Sequence, residues 1–89
     1  MTDGGLVSTL VAANEVVIAV VFKVEGPTRV EISFRSKVGY DVGQVAFSLG
    51  GGGHRQASGV TLQSPLDDVK AQVMPLLKAI ARQGRVVSG

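Results

Sequence analysis

Four consecutive glycines at positions 50–53 constrain the fold of this chain more than any other feature. Glycine loses more backbone entropy on folding than other residues do, so such a run indicates positive φ angles or the close approach of another group. The only histidine, His54, follows at once, and the sequence Arg-Gln-Ala-Ser-Gly completes the stretch at Gly59. Exposed backbone amides can cradle an anion, most effectively at the start of a helix. The stretch therefore predicts a phosphate-binding or nucleotide-binding loop, with a plain turn or linker as the alternative.

The composition is that of one small domain and excludes several kinds of protein. The chain has 89 residues and no cysteine, which excludes disulfides and thiolate chemistry and fits a cytoplasmic protein. Its net charge of +2 is compatible with an anionic ligand, but too small for a surface that coats nucleic acid broadly. The longest apolar run, residues 16–22, is too short to cross a bilayer, so no membrane partner is expected.

A β-hairpin is predicted ahead of the glycine stretch. Residues 16–24 are β-branched and apolar at both parities, which predicts a strand with both faces covered. Gly26 and Pro27 predict a tight turn. Residues 28–36 alternate, with Val30, Ile32 and Phe34 on the face that should be buried.

Helices are predicted on both sides of the glycine stretch. Asp41 should cap a short helix over residues 41–49, and Ser64 and Pro65 should begin a longer one that Pro75 kinks and Gly84 ends. The remaining expectations are weaker: a helix over residues 6–13, a helical turn over 54–58, a third strand over 59–63, and an edge strand or irregular tail over 85–87.

Together these elements predict an α/β fold: a small mixed β-sheet built on a central antiparallel hairpin and covered by two to three helices. Residues 1–14 are expected to form a short helix or the tail of an interdomain linker, and residues 15–89 the folded domain. A beginning so close to the first strand indicates a piece of a longer protein.

The polar residues favour binding over bond cleavage. Arg35, Ser36 and Lys37 end the hairpin and provide a guanidinium, a hydroxyl and an ammonium suited to phosphate oxygens, although most such side chains are merely solvated. His54 could donate to a phosphate, act in acid–base chemistry or serve the fold alone. The carboxylates are not spaced with His54 as metal ligands, and no serine lies in a nucleophile-elbow pattern.

The stretch of glycines, histidine and the small Ala57–Ser58 pair resembles the signature of the DHH-associated domain, the C-terminal domain of DHH-family phosphoesterases. The resemblance extends upstream through the sequences Ser-Phe-Arg-Ser-Lys at 33–37 and Asp-Val-Gly-Gln-Val-Ala at 41–46. The subgroup that it resembles most is the bacterial oligoribonuclease type that also dephosphorylates 3'-phosphoadenosine 5'-phosphate.

This resemblance implies a two-domain enzyme whose N-terminal domain carries an Asp-His-His motif and two manganese ions that activate water. The motif is missing from this chain, which is therefore expected to bind no cofactor and to be inactive alone. The implied partners are the DHH domain and short RNA or DNA oligonucleotides or phosphorylated nucleotides. The residues implied to hold substrate are Arg35, Ser36, Lys37, Gly51, Gly52, Gly53 and His54.

Two other functions stay open from the sequence. The C-terminal domain of alanyl-tRNA synthetase has a similar glycine-rich loop, which makes an RNA-binding or assembly module the alternative. RNA binding of that kind would favour aromatic side chains that stack on bases. Alternation places Phe34 in the core and leaves Tyr40 and Phe47 for that role. An assembly domain that leaves its loop unoccupied would instead form dimers with rising concentration and ignore nucleotides.

Overall fold

The computed structural model describes residues 6–12 and 16–83, and the tail expected over residues 85–87 lies outside them. Five strands and two helices are found within the described residues. In chain order they are β1 (Leu6–Ala12), β2 (Val16–Gly26), β3 (Arg29–Ser36), α1 (Val42–Ser48), β4 (Gly52–His54), β5 (Ala57–Leu62) and α2 (Leu66–Gln83).

The five strands form one sheet in the order β1-β2-β3-β5-β4. The β2–β3 hairpin lies at its centre, as predicted, and Pro27 and Thr28 form its turn. The prediction of an α/β fold with two to three helices is confirmed. Every strand pair is antiparallel, however, so the sheet is not mixed. The two-residue turn makes β4 and β5 antiparallel, and the connection from β3 through α1 and β4 returns the chain so that β5 also runs antiparallel to β3.

The alternation predicted for β3 sets the position of the core. Val30, Ile32 and Phe34 are fully buried, as are Val20 and Phe22 of the neighbouring strand. The helix α2 adds a stripe of side chains at four-residue spacing, which is the spacing of one helix face. These are Val69, Val73, Leu77 and Ala81.

Only one face of the sheet is covered by the described residues. The prediction that both faces of β2 would be covered holds at Val17, which is buried, but is wrong further along the strand, because Ala19 and Val21 are half-buried and Lys23 is exposed. On β3 the same face carries Glu31 and Arg35, which are also exposed. We call this surface the open face. It matters because it presents side chains at the centre of the sheet to the surroundings.

Helix α1 forms as its sequence predicts. Asp41 caps it by accepting a hydrogen bond of 3.1 Å from the backbone N–H of Gln44. Beyond Leu49, the backbone N–H of Gly50 donates to the Phe47 carbonyl at 3.1 Å, and the φ angle of 96° at Gly50 takes the chain out of the helical conformation. The cap and the glycine therefore fix both ends of the helix.

Two of the weaker helix predictions are wrong. Residues 6–12 form the strand β1, because its pairing with β2 along nearly the whole segment outweighs the helical spacing of a few apolar residues. Residues 54–58 form the end of β4, a turn at Arg55 and Gln56, and the start of β5, rather than a helical turn. The third strand thus begins at Ala57, two residues before its predicted start.

Helix α2 forms as predicted, with its first residue one position later than expected. The Pro65 carbonyl accepts a hydrogen bond of 3.0 Å from the Val69 N–H, so the helix begins at Leu66 and not at Pro65. It continues through Pro75, which is exposed. None of the helices in the described residues combines the length and apolar character needed to span a bilayer.

Candidate functional site

Strand β5 brings together two side chains that are far apart in sequence. Ala57 pairs with Arg35 of β3 on one side and with His54 of β4 on the other. Residues directly opposite each other in antiparallel strands project from the same face, so all three lie on the open face. Two strand spacings separate Arg35 from His54, roughly 10 Å between backbones. Only the methyl group of Ala57 stands between them along this row.

Arg35 is exposed, and its guanidinium is anchored to the end of β3. The group donates a hydrogen bond of 3.0 Å from Nη1 to the carbonyl of Phe34. A guanidinium has five N–H donors, so this bond uses one of them. The anchored side chain keeps the capacity to form a two-pronged contact with a phosphate or carboxylate.

Besides Gly50, whose φ angle is positive, two more glycines of the stretch are required by the fold itself. A Cβ at Gly51 would lie 2.2 Å from the carbonyl oxygen of Gly59. Gly53 has a φ angle of 135°, and a Cβ there would lie 2.6 Å from the Cα of Ser58. The N–H of Gly51 also donates to the Ala46 carbonyl at 2.8 Å. Gly51 therefore serves packing and has no N–H to offer to an anion.

Gly52 is the glycine of the stretch that the fold does not need. A Cβ at this position would meet nothing within 4 Å, and its φ angle lies outside the positive range. Gly52 pairs with Gly59 two residues along from the His54–Ala57 pair, which places it on the open face with Arg35 and His54. An unoccupied position of this kind permits the close approach of another molecule to the backbone.

The glycine stretch follows the end of a helix and does not begin one. It leaves the C-terminus of α1, where the helix dipole favours cations, so the expected helix-start contribution to anion binding is absent from this loop. Attraction for an anion must come from side chains instead. At this end of the sheet the described residues place the cationic side chains of Arg35, Lys37 and Arg55 and the imidazole of His54, and the carboxylate of Asp41 lies 4.0 Å from Arg55.

Ser36 and Lys37 are placed differently from Arg35. The side chain of Ser36 projects from the face of the sheet opposite to Arg35. Its hydroxyl donates to the Tyr40 carbonyl at 2.8 Å, and this bond holds the turn before α1. Lys37 is exposed, and its backbone N–H donates to the Val17 carbonyl at 3.0 Å. Of the residues singled out from the sequence, the structure thus gathers Arg35, His54 and Gly52 on one face and holds Ser36 in the adjoining turn.

Sequence reasoning missed three residues that position the site. Ala57 separates Arg35 from His54, and the buried hydroxyl of Ser58 donates to the Val42 carbonyl at 2.9 Å. Gly43 lets α1 approach β4, because a Cβ there would lie 2.9 Å from the His54 carbonyl oxygen. The small Ala-Ser pair was visible in the sequence, but its role depends on strand pairing that no local pattern reveals.

The described residues contain no group of three or more histidine, cysteine, aspartate or glutamate side chains that could hold a metal ion. The candidate site is thus a patch of cationic and small residues on an open sheet face, suited to holding an anion.

The family model described as the DHHA1 domain matches residues 4–83, which is most of the chain. No curated protein matches the chain.

Proposed function

Because the chain belongs to the DHHA1 domain family, we propose that it is the substrate-binding domain of a DHH-family phosphoesterase. The proposed substrates are short oligonucleotides and 3',5'-bisphosphate nucleotides, and the proposed location is the cytoplasm. The proposed partner is the DHH domain, which precedes the DHHA1 domain in proteins that carry both.

The observation that carries the proposal is the row of Arg35, Ala57 and His54 on the open face. A phosphate beside Ala57 pairs with the guanidinium of Arg35 from one side and accepts a hydrogen bond from the imidazole of His54 on the other. Gly52 has no side chain to hold the ligand away from the strand. Cationic residues at this end of the sheet raise the local concentration of anionic substrate.

The chain contributes binding and orientation in this proposal. Holding the phosphate between fixed groups presents the scissile bond in one geometry, which is a large part of catalysis in many enzymes. The described residues do not fit a metal centre. We therefore assign to the DHH domain the activation of water, which two manganese ions supply in the phosphoesterases that the chain resembles.

The test is an NMR titration of the 89-residue chain with 3'-phosphoadenosine 5'-phosphate and with a dinucleotide, with a hydrolysis assay in manganese on the same samples. We expect shifts at the amides of Gly52, Gly53 and His54 and at Arg35, and no turnover. Shifts confined to other parts of the chain, or none up to millimolar ligand, would overturn the proposed site. Turnover would show that catalytic groups lie within this chain.

One observation favours the alternative of an RNA-binding module. Phe47 is 77% exposed on α1, and an exposed aromatic ring is a platform on which bases stack. Phe47 lies one turn beyond Gly43, on the side of α1 that faces His54. If this function is correct, Phe47→Ala weakens binding of single-stranded RNA by about tenfold and leaves the affinity for 3'-phosphoadenosine 5'-phosphate unchanged.

A further inference from the structure

A hollow of about 210 Å³ adjoins Arg35 on the side away from His54. We call it the β2 hollow. It lies where the start of β2 meets the end of β3, and it is formed by three consecutive residues of each segment. These are Val17, Ile18, Ala19, Arg35, Ser36 and Lys37.

The register of the sheet fixes the position of the hollow relative to the phosphate site. Ala19 pairs with Arg35 on the side opposite to Ala57, so Arg35 stands between the hollow and the row that leads to His54. A hydrogen bond of 3.0 Å from the Lys37 N–H to the Val17 carbonyl joins the two segments that line the hollow. A molecule held by Arg35 can therefore extend in both directions along one row of the sheet.

The chemistry of the hollow differs from that of the phosphate site. Its floor is apolar and comes from β2, where Ala19 and Val17 have the parity of the open face and Ile18 between them projects into the core, while Arg35 and Lys37 supply cationic groups. Pockets that hold a whole small molecule have volumes of about 300–1,000 Å³. The hollow is smaller and therefore fits one planar uncharged base rather than a whole nucleotide. A guanidinium plane beside it is a surface on which nucleobases stack.

We propose that the β2 hollow seats the nucleobase of the bound nucleotide, with Arg35 between the base and the phosphate. This inference rests on the proposed function, because it needs the phosphate to lie beside Arg35 and Ala57. The base lies over Ala19 and against the guanidinium, and the sugar crosses Arg35 toward β5. Binding should then depend on the base as well as on the phosphate.

The experiment compares adenosine 5'-monophosphate with ribose 5-phosphate, which has the same phosphate and sugar but no base. Titrations use the 89-residue chain, the variant Ala19→Leu, which fills the hollow, and the variant Val21→Leu. Val21 is the matched control, because it is half-buried on the same strand and the same face and lies outside the hollow.

In the unaltered chain, we expect adenosine 5'-monophosphate to bind about tenfold tighter than ribose 5-phosphate, because a stacked base adds about that much affinity. Ala19→Leu should bring the two affinities within about twofold of each other, because it removes base stacking and leaves the ribose 5-phosphate affinity unchanged. Val21→Leu should behave as the unaltered chain does. Equal affinities in the unaltered chain, or a preference that survives Ala19→Leu, would overturn the proposal.

A second measurement needs no variant and covers the case in which Ala19→Leu fails to fold. Uncharged adenosine should shift the amides of Val17, Ile18 and Ala19 and leave those of Gly52 and His54 in place, while ribose 5-phosphate should do the reverse. Shifts that adenosine causes at other residues, such as Phe47, would overturn the placement of the base in the β2 hollow but not the phosphate site. If neither phosphate ligand binds, the proposed function fails and this inference fails with it.

Discussion

Arg35 and His54 lie on either side of one residue, Ala57, and project from the same face of the sheet. The two come from different hairpins, so their spacing is set by the pairing of β5 with both neighbours and not by either loop alone. At roughly 10 Å between backbones, a long guanidinium side chain and an imidazole can reach one small anion between them.

Arg35→Ala should weaken binding of 3'-phosphoadenosine 5'-phosphate by about 10- to 100-fold, the loss expected for a hydrogen bond to a charged group. Thermal unfolding should be almost unchanged, because the side chain is exposed. The matched control is Arg29→Ala, on the same strand and face, which removes only an exposed ion pair with Glu25 at 3.0 Å. Equal losses of affinity in the two variants would remove Arg35 from the site.

Gly52→Ala and Gly53→Ala should have opposite effects on stability. At Gly53 the φ angle of 135° and the nearby Ser58 backbone make alanine costly, by about 1–3 kcal/mol of unfolding free energy for the backbone strain alone. At Gly52 a methyl group meets nothing, so the unfolding free energy should rise by about 0.4–1 kcal/mol. Chemical denaturation of both variants measures the difference.

The two glycine variants also separate folding from binding. Gly52→Ala should fold normally and yet bind 3'-phosphoadenosine 5'-phosphate less tightly, because its methyl group projects where the ligand approaches the strand. If Gly52→Ala binds as tightly as the unaltered chain, the ligand does not contact β4 at this point. A loss of affinity in Gly52→Ala could not be explained by a loss of stability, because stability is expected to rise at this position.

Ala57→Leu should lower the affinity for 3'-phosphoadenosine 5'-phosphate by about tenfold, or roughly 1.4 kcal/mol, by filling the space between Arg35 and His54. Ala57 is half-buried on the open face, so the fold should tolerate the larger side chain. Thr61→Leu makes a comparable change on the same strand and face, opposite Glu31 and away from the site. A similar loss in Thr61→Leu would show that the ligand does not lie across Ala57.

Ser58→Ala should lower the unfolding free energy by about 1–3 kcal/mol, because the buried carbonyl of Val42 loses its hydroxyl donor. For a domain of this size, the midpoint of thermal unfolding should fall by about 4 °C or more. Ser48→Ala is the comparison, since its hydroxyl bonds the Val45 carbonyl at 2.8 Å within a surface helix turn. A midpoint that moves no further for Ser58→Ala than for Ser48→Ala would contradict the role given to this bond.

Local patterns in the sequence predicted the elements that local physics determines. Alternation of Val30, Ile32 and Phe34 predicted the buried face of β3, and Asp41 predicted the start of α1. The helices expected over residues 6–13 and 54–58 do not form in the described residues, because residues 6–12 pair with β2 and residues 54–58 form the turn of the β4–β5 hairpin. A few apolar residues at helical spacing carry little free energy against a full ladder of hydrogen bonds.

The candidate site was predictable in its residues and not in its arrangement. The guanidinium of Arg35, the imidazole of His54 and the glycines were visible as phosphate-binding groups. The sequence could not show that Gly51 uses its N–H within the fold, or that Gly52 does not need to be glycine for packing. Those distinctions depend on contacts with Ala46 and with β5.

The inward-facing and outward-facing residues of β5 have different roles. Ser58 and Val60 are buried beneath the helices, so substitutions there change the stability of the whole domain. Ala57 and Thr61 face outward, and replacing them changes what can rest on the sheet while the interior keeps its packing. Homologous domains with other ligands should therefore differ at the outward positions and agree at the inward ones. The sequence of β5 would then reflect the shared fold at one set of positions and the bound ligand at the other.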